Sequence, residues 1–133
     1  MSSELILLVD DEPSITQLAR MYLEREGFRV LDAGDGEAAL EAVAKQKPAL
    51  MVLDVMLPKL DGLEVCRRLR GTPVTRGIKI LVITGVDEMD LEEKARAAGA
   101  DGFMRKPIDP EEFFEKVGEL LKLVMSAETP EKT

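Results

Sequence analysis

The chain has 133 residues, of which 45% are hydrophobic and 33% are charged, as expected for one globular domain with its own core. Its net charge of −8 argues against direct nucleic-acid binding, since phosphate contacts need a basic face. With no histidine and a single cysteine, the sequence also excludes zinc sites, histidine-based catalysis and an internal disulfide.

The first apolar run, residues 5–9, is too short for a membrane span or a signal peptide, and Glu4 precedes it. We therefore expect a cytoplasmic protein without a membrane partner. The run predicts a buried strand followed by acids, Asp10 and Asp11. Pro13 suits the first turn of a helix, which these acids are expected to cap and which Gly27 ends.

The segment 28–33 predicts a second strand, and Asp35 is the expected cap of a second helix, which Pro48 stops. The run 49–58 is apolar except for Asp54 and predicts a strand buried on both faces. A carboxylate is costly inside such a strand but tolerated at its C-terminal end, where ligands bind in open parallel sheets. Asp54 is therefore the candidate reactive group.

Apolar positions then repeat at strand or helix spacing to the end of the domain. The expected elements are first a helix with Val65, Cys66 and Leu69 inward and a strand over 78–83 ending at Thr84. A helix with Leu91, Ala95 and Ala98 inward, closed by Gly99, and a strand over 101–105 ending at Lys106 are expected next. The last expected element is a helix after Asp109, with its inward residues at Phe113, Val117, Leu120, Leu121 and Val124. Five strand–helix pairs predict an α/β domain over residues 4–125 with a doubly wound parallel sheet. Residues 126–133 read as a polar tail or the start of a linker.

The strand ends carry Asp10, Asp11, Asp54, Thr84 and Lys106, which such a sheet gathers along one edge. Three carboxylates in one cleft repel each other and require a cation, and oxygen ligands with a phosphate favour Mg²⁺. A carboxylate is also a competent nucleophile in phosphoryl transfer. The metal, the ammonium and the hydroxyl then neutralise the three equatorial oxygens of the phosphoryl group.

Together these motifs resemble the receiver domain of two-component response regulators. The resemblance covers residues 5 to about 124 and rests on Asp10-Asp11, Leu53-Asp54-Val55-Met56-Leu57-Pro58, Asp61-Gly62, Thr84-Gly85, Gly99-Ala100-Asp101-Gly102-Phe103 and Lys106-Pro107. It implies the flavodoxin-like strand order 2-1-3-4-5, which this family shares with flavodoxin.

The resemblance also implies the roles of the site residues. Asp54 is expected to accept the phosphoryl group, and Lys106 to pair with it. Asp11, Asp54 and the Met56 carbonyl are expected to bind Mg²⁺ directly, with Asp10 acting through water.

A second set of expectations concerns the response to phosphorylation. Thr84 is the implied switch hydroxyl and Phe103 the switch aromatic, and the Lys106–Pro107 bond is expected to be cis. Met56 and Val86 flank the route of hydrolytic water in this family, and both are apolar here, which predicts a long-lived phosphorylated state.

The implied function is a signalling switch rather than a general enzyme, catalysing only its own phosphorylation and dephosphorylation. The donor is the phosphohistidine of a sensor histidine kinase or histidine phosphotransfer protein. The response is a change in a partner-binding surface on the fourth helix, fifth strand and fifth helix, read by a downstream protein or output domain.

The sequence leaves three alternatives open. An unphosphorylated pseudo-receiver is disfavoured by the intact Asp10-Asp11, Asp54 and Lys106 set. A phosphohydrolase of the haloacid dehalogenase type requires a second acid two residues after the nucleophile, where Met56 stands. A flavodoxin is disfavoured because the acidic loop after the first strand repels a flavin phosphate.

Overall fold

The computed structural model describes residues 4–122, which fold into five strands and five helices in strict alternation. The elements in chain order are β1 (Leu5–Val9), α1 (Pro13–Arg25), β2 (Arg29–Ala33), α2 (Gly36–Lys45), β3 (Leu50–Leu53), α3 (Gly62–Arg70), β4 (Lys79–Thr84), α4 (Leu91–Ala98), β5 (Gly102–Arg105) and α5 (Pro110–Leu121). The predicted tail and the predicted inward position of Val124 lie outside the described residues, and the domain boundary at residue 125 stays a prediction.

The sheet is parallel throughout, with the order β2-β1-β3-β4-β5. This confirms the doubly wound architecture and the strand order implied by the resemblance. In the register, Val9 lies opposite Leu53, and Thr84 lies opposite Arg105. The residues that follow β1 and β3, Asp10 and Asp54, are therefore neighbours at the carboxyl edge of the sheet.

Alternation along the strands divides the core into two layers, because successive side chains point to opposite faces. Leu7 and Val9 of β1 pack on one face with buried residues of α2, α3 and α4. Ile6 and Leu8 pack on the other face with buried residues of α1 and α5. The central strands are buried on both faces, as their continuous apolar runs predict.

Helix ends mostly follow the local signals. Asp35, Asp61 and Asp109 each accept a hydrogen bond from a backbone N–H of the first turn, and Gly99 ends α4 in the left-handed conformation. The expected capping of α1 by Asp10 and Asp11 is wrong. Glu12 is the N-cap there, and its side chain makes no capping bond. The Asp10 carboxylate instead accepts from the Glu12 N–H at 2.9 Å and from the Lys106 ammonium at 3.0 Å.

Candidate functional site

The candidate site begins where the backbone ladder of the sheet ends. The Asp54 N–H donates to the Val9 carbonyl at 3.0 Å, and the Lys106 N–H donates to the Thr84 carbonyl at 2.9 Å. These bonds fix the positions at which the side chains leave the sheet. The predicted convergence of β1, β3, β4 and β5 on one site is confirmed for Asp10, Asp54, Thr84 and Lys106.

The Lys106 ammonium lies at the centre of this group. Its Nζ is 2.9 Å from Asp54 Oδ2, 3.0 Å from Asp10 Oδ2 and 2.7 Å from Glu12 Oε1. The Asp54 and Asp10 side chains are only 7% and 8% exposed, whereas Glu12 is 56% exposed. A buried carboxylate pair of this kind needs a cation, and the ammonium supplies one.

Burial and charge oppose each other at this cluster. Burial lowers the pKa of Lys106, but its hydrogen bonds to Glu12, Asp54 and Asp10 outweigh this, so the pKa lies above its ordinary value. Burial raises the pKa of Asp10 above its ordinary value, and the Glu12 N–H and the Lys106 ammonium only partly offset it. Lys106 is therefore firmly protonated, while the charge on Asp10 is held at a cost.

The structure brings together three carboxylates that could hold a metal, with Glu12 in the place expected for Asp11. Oxygen atoms of Asp10, Glu12 and Asp54 all lie within 4.8 Å of one another. Asp11, the expected direct ligand, is exposed and lines the same cleft without joining this group. Its metal role stays a prediction, as does that of the Met56 carbonyl.

Glu12 is the residue that sequence reasoning missed. It is visible in the sequence as the third acid after β1, but periodicity does not encode its pairing with a lysine 94 positions away. That pairing depends on the strand order and on the rotamers of two long side chains. In the loop after β5, the cis Lys106–Pro107 bond confirms the expectation drawn from the resemblance.

The donor chemistry of the site fits Mg²⁺. Carboxylate oxygens are the hard ligands that this ion takes, usually with several waters retained. The group opens into a cleft of about 770 Å³, which has room for those waters and a phosphoryl group. The residues facing this cleft include Asp11, Asp54, Met56, Thr84, Val86 and Lys106.

Thr84 and Phe103, the two expected switch residues, are both buried. Thr84 is 0% exposed, and its Oγ1 accepts a hydrogen bond from the Val86 N–H at 3.1 Å. Phe103 is 7% exposed and packs in the core layer that contains Leu91 and Ala95 of α4. Both residues therefore lie where a movement at the site can reach the neighbouring helix.

The backbone after β3 orients the candidate reactive group. The Met56 N–H donates to Asp54 Oδ1 at 3.1 Å, while Asp54 Oδ2 accepts from the Lys106 ammonium. Each carboxylate oxygen thus has its own donor. The carboxylate is therefore held in one orientation against the cleft.

No helix within residues 4–122 has the length and apolar character needed to cross a membrane.

The family model for the response regulator receiver domain matches residues 6–118. The chain is 46% identical over 117 residues to the alkaline phosphatase synthesis transcriptional regulatory protein PhoP of Bacillus subtilis, covering 88% of this chain and 48% of that protein. It is 43% identical to the response regulator MprA of Mycobacterium leprae over 88% of this chain and 50% of that protein.

The chain thus spans about half the length of these curated relatives. Among solved structures, it resembles the Vibrio cholerae chemotaxis protein CheY4, with a TM-score of 0.84, 28% identity and coverage of 90% of this chain and 100% of that chain. The receiver domain of the Pseudomonas aeruginosa sensor histidine kinase PA1611, which has a magnesium ion in its active-site cleft, gives a TM-score of 0.83 at 26% identity and covers 91% and 99%. The chain belongs to the response regulator receiver domains, the signalling switches of two-component systems.

Proposed function

We propose that Asp54 accepts a phosphoryl group from the phosphohistidine of a sensor histidine kinase or histidine phosphotransfer protein. The observation that carries the proposal is the 2.9 Å contact between the Lys106 ammonium and the nearly buried Asp54 carboxylate that lines the cleft. A reactive carboxylate held beside a fixed cation in an open cleft suits attack on an incoming phosphorus atom.

In the transfer, an Asp54 oxygen forms a bond to phosphorus while the bond from phosphorus to the donor imidazole nitrogen breaks. The leaving imidazole keeps the electron pair of that bond. The Lys106 ammonium then balances charge on one phosphoryl oxygen, and the Thr84 hydroxyl donates to another. The Thr84 oxygen accepts from the Val86 N–H at 3.1 Å, and the same hydroxyl retains its own proton for donation to a phosphoryl oxygen.

Mg²⁺ supplies the remaining charge neutralisation when it is bound. We assign it to Asp11, Asp54 and the Met56 carbonyl, with Asp10 acting through water. Glu12 is close enough to take part, because its carboxylate oxygen lies within 4.8 Å of oxygens of Asp10 and Asp54. The reacting carboxylate belongs to the protein itself, so the site modifies its own chain. The catalysis we propose is limited to the phosphorylation and dephosphorylation of Asp54.

The phosphorylated carboxylate adds roughly two negative charges beside Thr84, by analogy with other protein phosphoryl groups. We propose that this changes the surface of α4, β5 and α5, which a downstream protein or output domain reads. Because Phe103 of β5 packs against α4, it is suited to transmit a movement of Thr84 to that surface. We do not propose that this acidic domain binds nucleic acid directly. We do propose that it acts in the cytoplasm.

Intact mass spectrometry tests the phosphoacceptor role. The protein is incubated with acetyl phosphate and Mg²⁺, and the addition of one phosphoryl group is followed with time. We expect an adduct on the unsubstituted protein and on Glu41→Gln, which removes an exposed carboxylate of α2, but none on Asp54→Asn. No adduct on the unsubstituted protein would instead support a pseudo-receiver, and continuous turnover of many phosphate esters would support a hydrolase.

A further inference from the structure

Arg105, the last residue of β5, contacts both the loop after β4 and the Phe103 ring. Its Nη1 donates to the Val86 carbonyl in the loop after β4 at 2.6 Å. Its guanidinium carbon lies 5.1 Å from the centroid of the Phe103 ring, within cation–π distance. One side chain therefore contacts both the loop that follows Thr84 and the expected switch aromatic.

The Val86 contact leads directly to the site. Val86 is held at both of its backbone polar groups, by Thr84 Oγ1 at its N–H and by Arg105 at its carbonyl. Fixing the carbonyl therefore helps to fix the N–H that occupies the acceptor side of the Thr84 hydroxyl. This is the arrangement that leaves the Thr84 proton for a phosphoryl oxygen.

The second contact of Arg105 is with the ring of Phe103, the expected switch aromatic. Phe103 is 7% exposed, and the Arg105 guanidinium covers the ring where β5 reaches the surface. An outward turn of the ring would break both this contact and its packing against α4. The guanidinium therefore favours the inward position of the ring.

The contact partners of the Arg105 side chain are unusual for a cation on an acidic protein. Within residues 4–122, none of the ion pairs involves Arg105, although the chain contains 26 acidic and only 18 basic residues. Its two contacts are a carbonyl oxygen and an aromatic ring. The side chain is thus placed by the switch elements and not by a neighbouring carboxylate.

We infer that Arg105 is a positioning residue of the switch, which stabilises the buried position of Phe103 together with the Val86 loop conformation that presents the Thr84 hydroxyl to the cleft. The consequence for phosphoryl binding rests on the function proposed above. The stabilisation of Phe103 and of the Val86 loop does not rest on that function, because the contacts concerned are present without a phosphoryl group. Removal of Arg105 loosens the Val86 loop, exposes Phe103 and weakens the response of the site to a phosphoryl group.

The first experiment uses the unphosphorylated protein and so is independent of the proposed function. It compares amide hydrogen exchange at Val86 and the ¹⁹F resonance of fluorophenylalanine at position 103, assigned by its absence from Phe103→Leu. The proteins are the unsubstituted chain, Arg105→Ala, Arg105→Lys and Arg67→Ala. Arg67 is an exposed arginine of α3 paired with Glu64, so its removal changes the net charge equally.

We expect faster Val86 exchange and a shifted Phe103 resonance in Arg105→Ala, with partial restoration in Arg105→Lys and no change in Arg67→Ala. Lysine retains a cation that can reach the carbonyl or the ring, but it lacks the planar fork of arginine. Exchange at core strand amides is measured alongside, so that any difference in global stability is subtracted. Unchanged exchange at Val86 and an unchanged resonance in Arg105→Ala would overturn the inference.

The second experiment titrates beryllium fluoride with Mg²⁺ as a phosphoryl analogue. We expect Arg105→Ala to bind about two- to tenfold more weakly, since Arg105 supplies a charged hydrogen bond and an exposed cation–π contact. Equal affinity of Arg105→Ala and the unsubstituted protein would overturn the coupling to the site. No binding by the unsubstituted protein would contradict the proposed function, while the exchange experiment would still decide the position of Val86 and Phe103.

Discussion

The Lys106 ammonium lies 2.9 Å from the Asp54 carboxylate although 52 positions separate the two residues in the chain. The contact arises because β3 and β5 are parallel strands of one sheet and deliver their following residues to the same edge. Asp10 joins from β1 and shares the ammonium at 3.0 Å. The site is therefore a product of the topology, and we expect its charge balance to affect both the stability of the fold and the affinity for a metal ion.

The shared ammonium gives a prediction for Asp10. Burial raises the pKa of this carboxyl, so its ionised form opposes folding at neutral pH. Asp10→Asn is expected to raise the free energy of unfolding of the Mg²⁺-free protein by about 1 kcal/mol at pH 7, because Lys106 keeps Asp54 and Glu12 as partners. Urea denaturation measures this change, and calorimetry is expected to show weaker Mg²⁺ binding by the same variant.

The pH dependence of that effect has a definite sign. Since the pKa of Asp10 is higher in the folded state than in the unfolded state, the folded state binds more protons between the two values. The contribution of Asp10 to stability therefore falls as the pH rises through this window, and Asp10→Asn lacks this fall. An Asp10→Asn protein less stable than the unsubstituted protein at pH 7, with Glu41→Gln at an exposed acid of α2 unchanged, would show that the Asp10 charge stabilises the fold.

Gly62 gives a prediction about the backbone that supports Asp54. A Cβ at this position would lie 2.7 Å from Val55 Cα and against the Asp54 carbonyl oxygen, so the loop after β3 must shift to admit alanine. Gly62→Ala is expected to lower the free energy of unfolding by about 1–3 kcal/mol and to slow phosphorylation of Asp54. Gly34→Ala is the matched control, because a Cβ there has no heavy atom within 4 Å. Equal stability of the two variants in urea would show that the loop adapts freely.

Cys66 gives a prediction about reactivity. Burial raises the pKa of this thiol to about 11, and the residue, on the inward side of α3, is fully enclosed in the core layer. We expect a thiol reagent at pH 8 to modify the folded protein only through unfolding, and rapidly in urea. The absorbance of the released chromophore follows the reaction. Rapid modification in the folded state would indicate that α3 opens locally.

Met56 gives a prediction about the lifetime of the phosphorylated state. Its side chain is 62% exposed and lines the cleft with Val86, and neither side chain offers a polar group to orient a hydrolytic water. Met56→Asn is expected to accelerate loss of the phosphoryl group severalfold, since an amide can hold that water by hydrogen bonds. Met21→Asn, at an exposed methionine of α1, is the control. The decay is measured by intact mass after removal of the phosphodonor, and equal decay rates in all three proteins would refute the explanation.

Much of this site was accessible from the sequence because it depends on strand ends. The runs before Asp10 and Asp54 identify buried strands, and the alternation with helices makes those strands parallel. The strand order needed the resemblance, since periodicity gives elements but not their neighbours in the sheet. Strand bounds differ from expectation by a residue at several ends, for example at Ile78, which precedes β4.

What the sequence did not reveal depends on long side chains that cross between elements. Glu12 reaches Lys106 and Arg105 reaches the Val86 carbonyl, and neither contact follows from spacing or composition. The capping of α1 was predicted wrongly for a related reason. By sequence position alone, the acids after β1 suit both a helix terminus and a charged cleft, and the Lys106 ammonium draws Asp10 to the cleft.

The chemical identity of the phosphoacceptor is tested most directly by trapping it. Borohydride reduces an aspartyl phosphate to homoserine but leaves a free carboxylate intact, so peptide mass spectrometry after acetyl phosphate and Mg²⁺ treatment reads the modified position. We expect homoserine at residue 54 and at no other aspartate. Homoserine at Asp10, Asp11 or another acid, with Asp54 unchanged, would contradict the assignment of Asp54 as the phosphoacceptor.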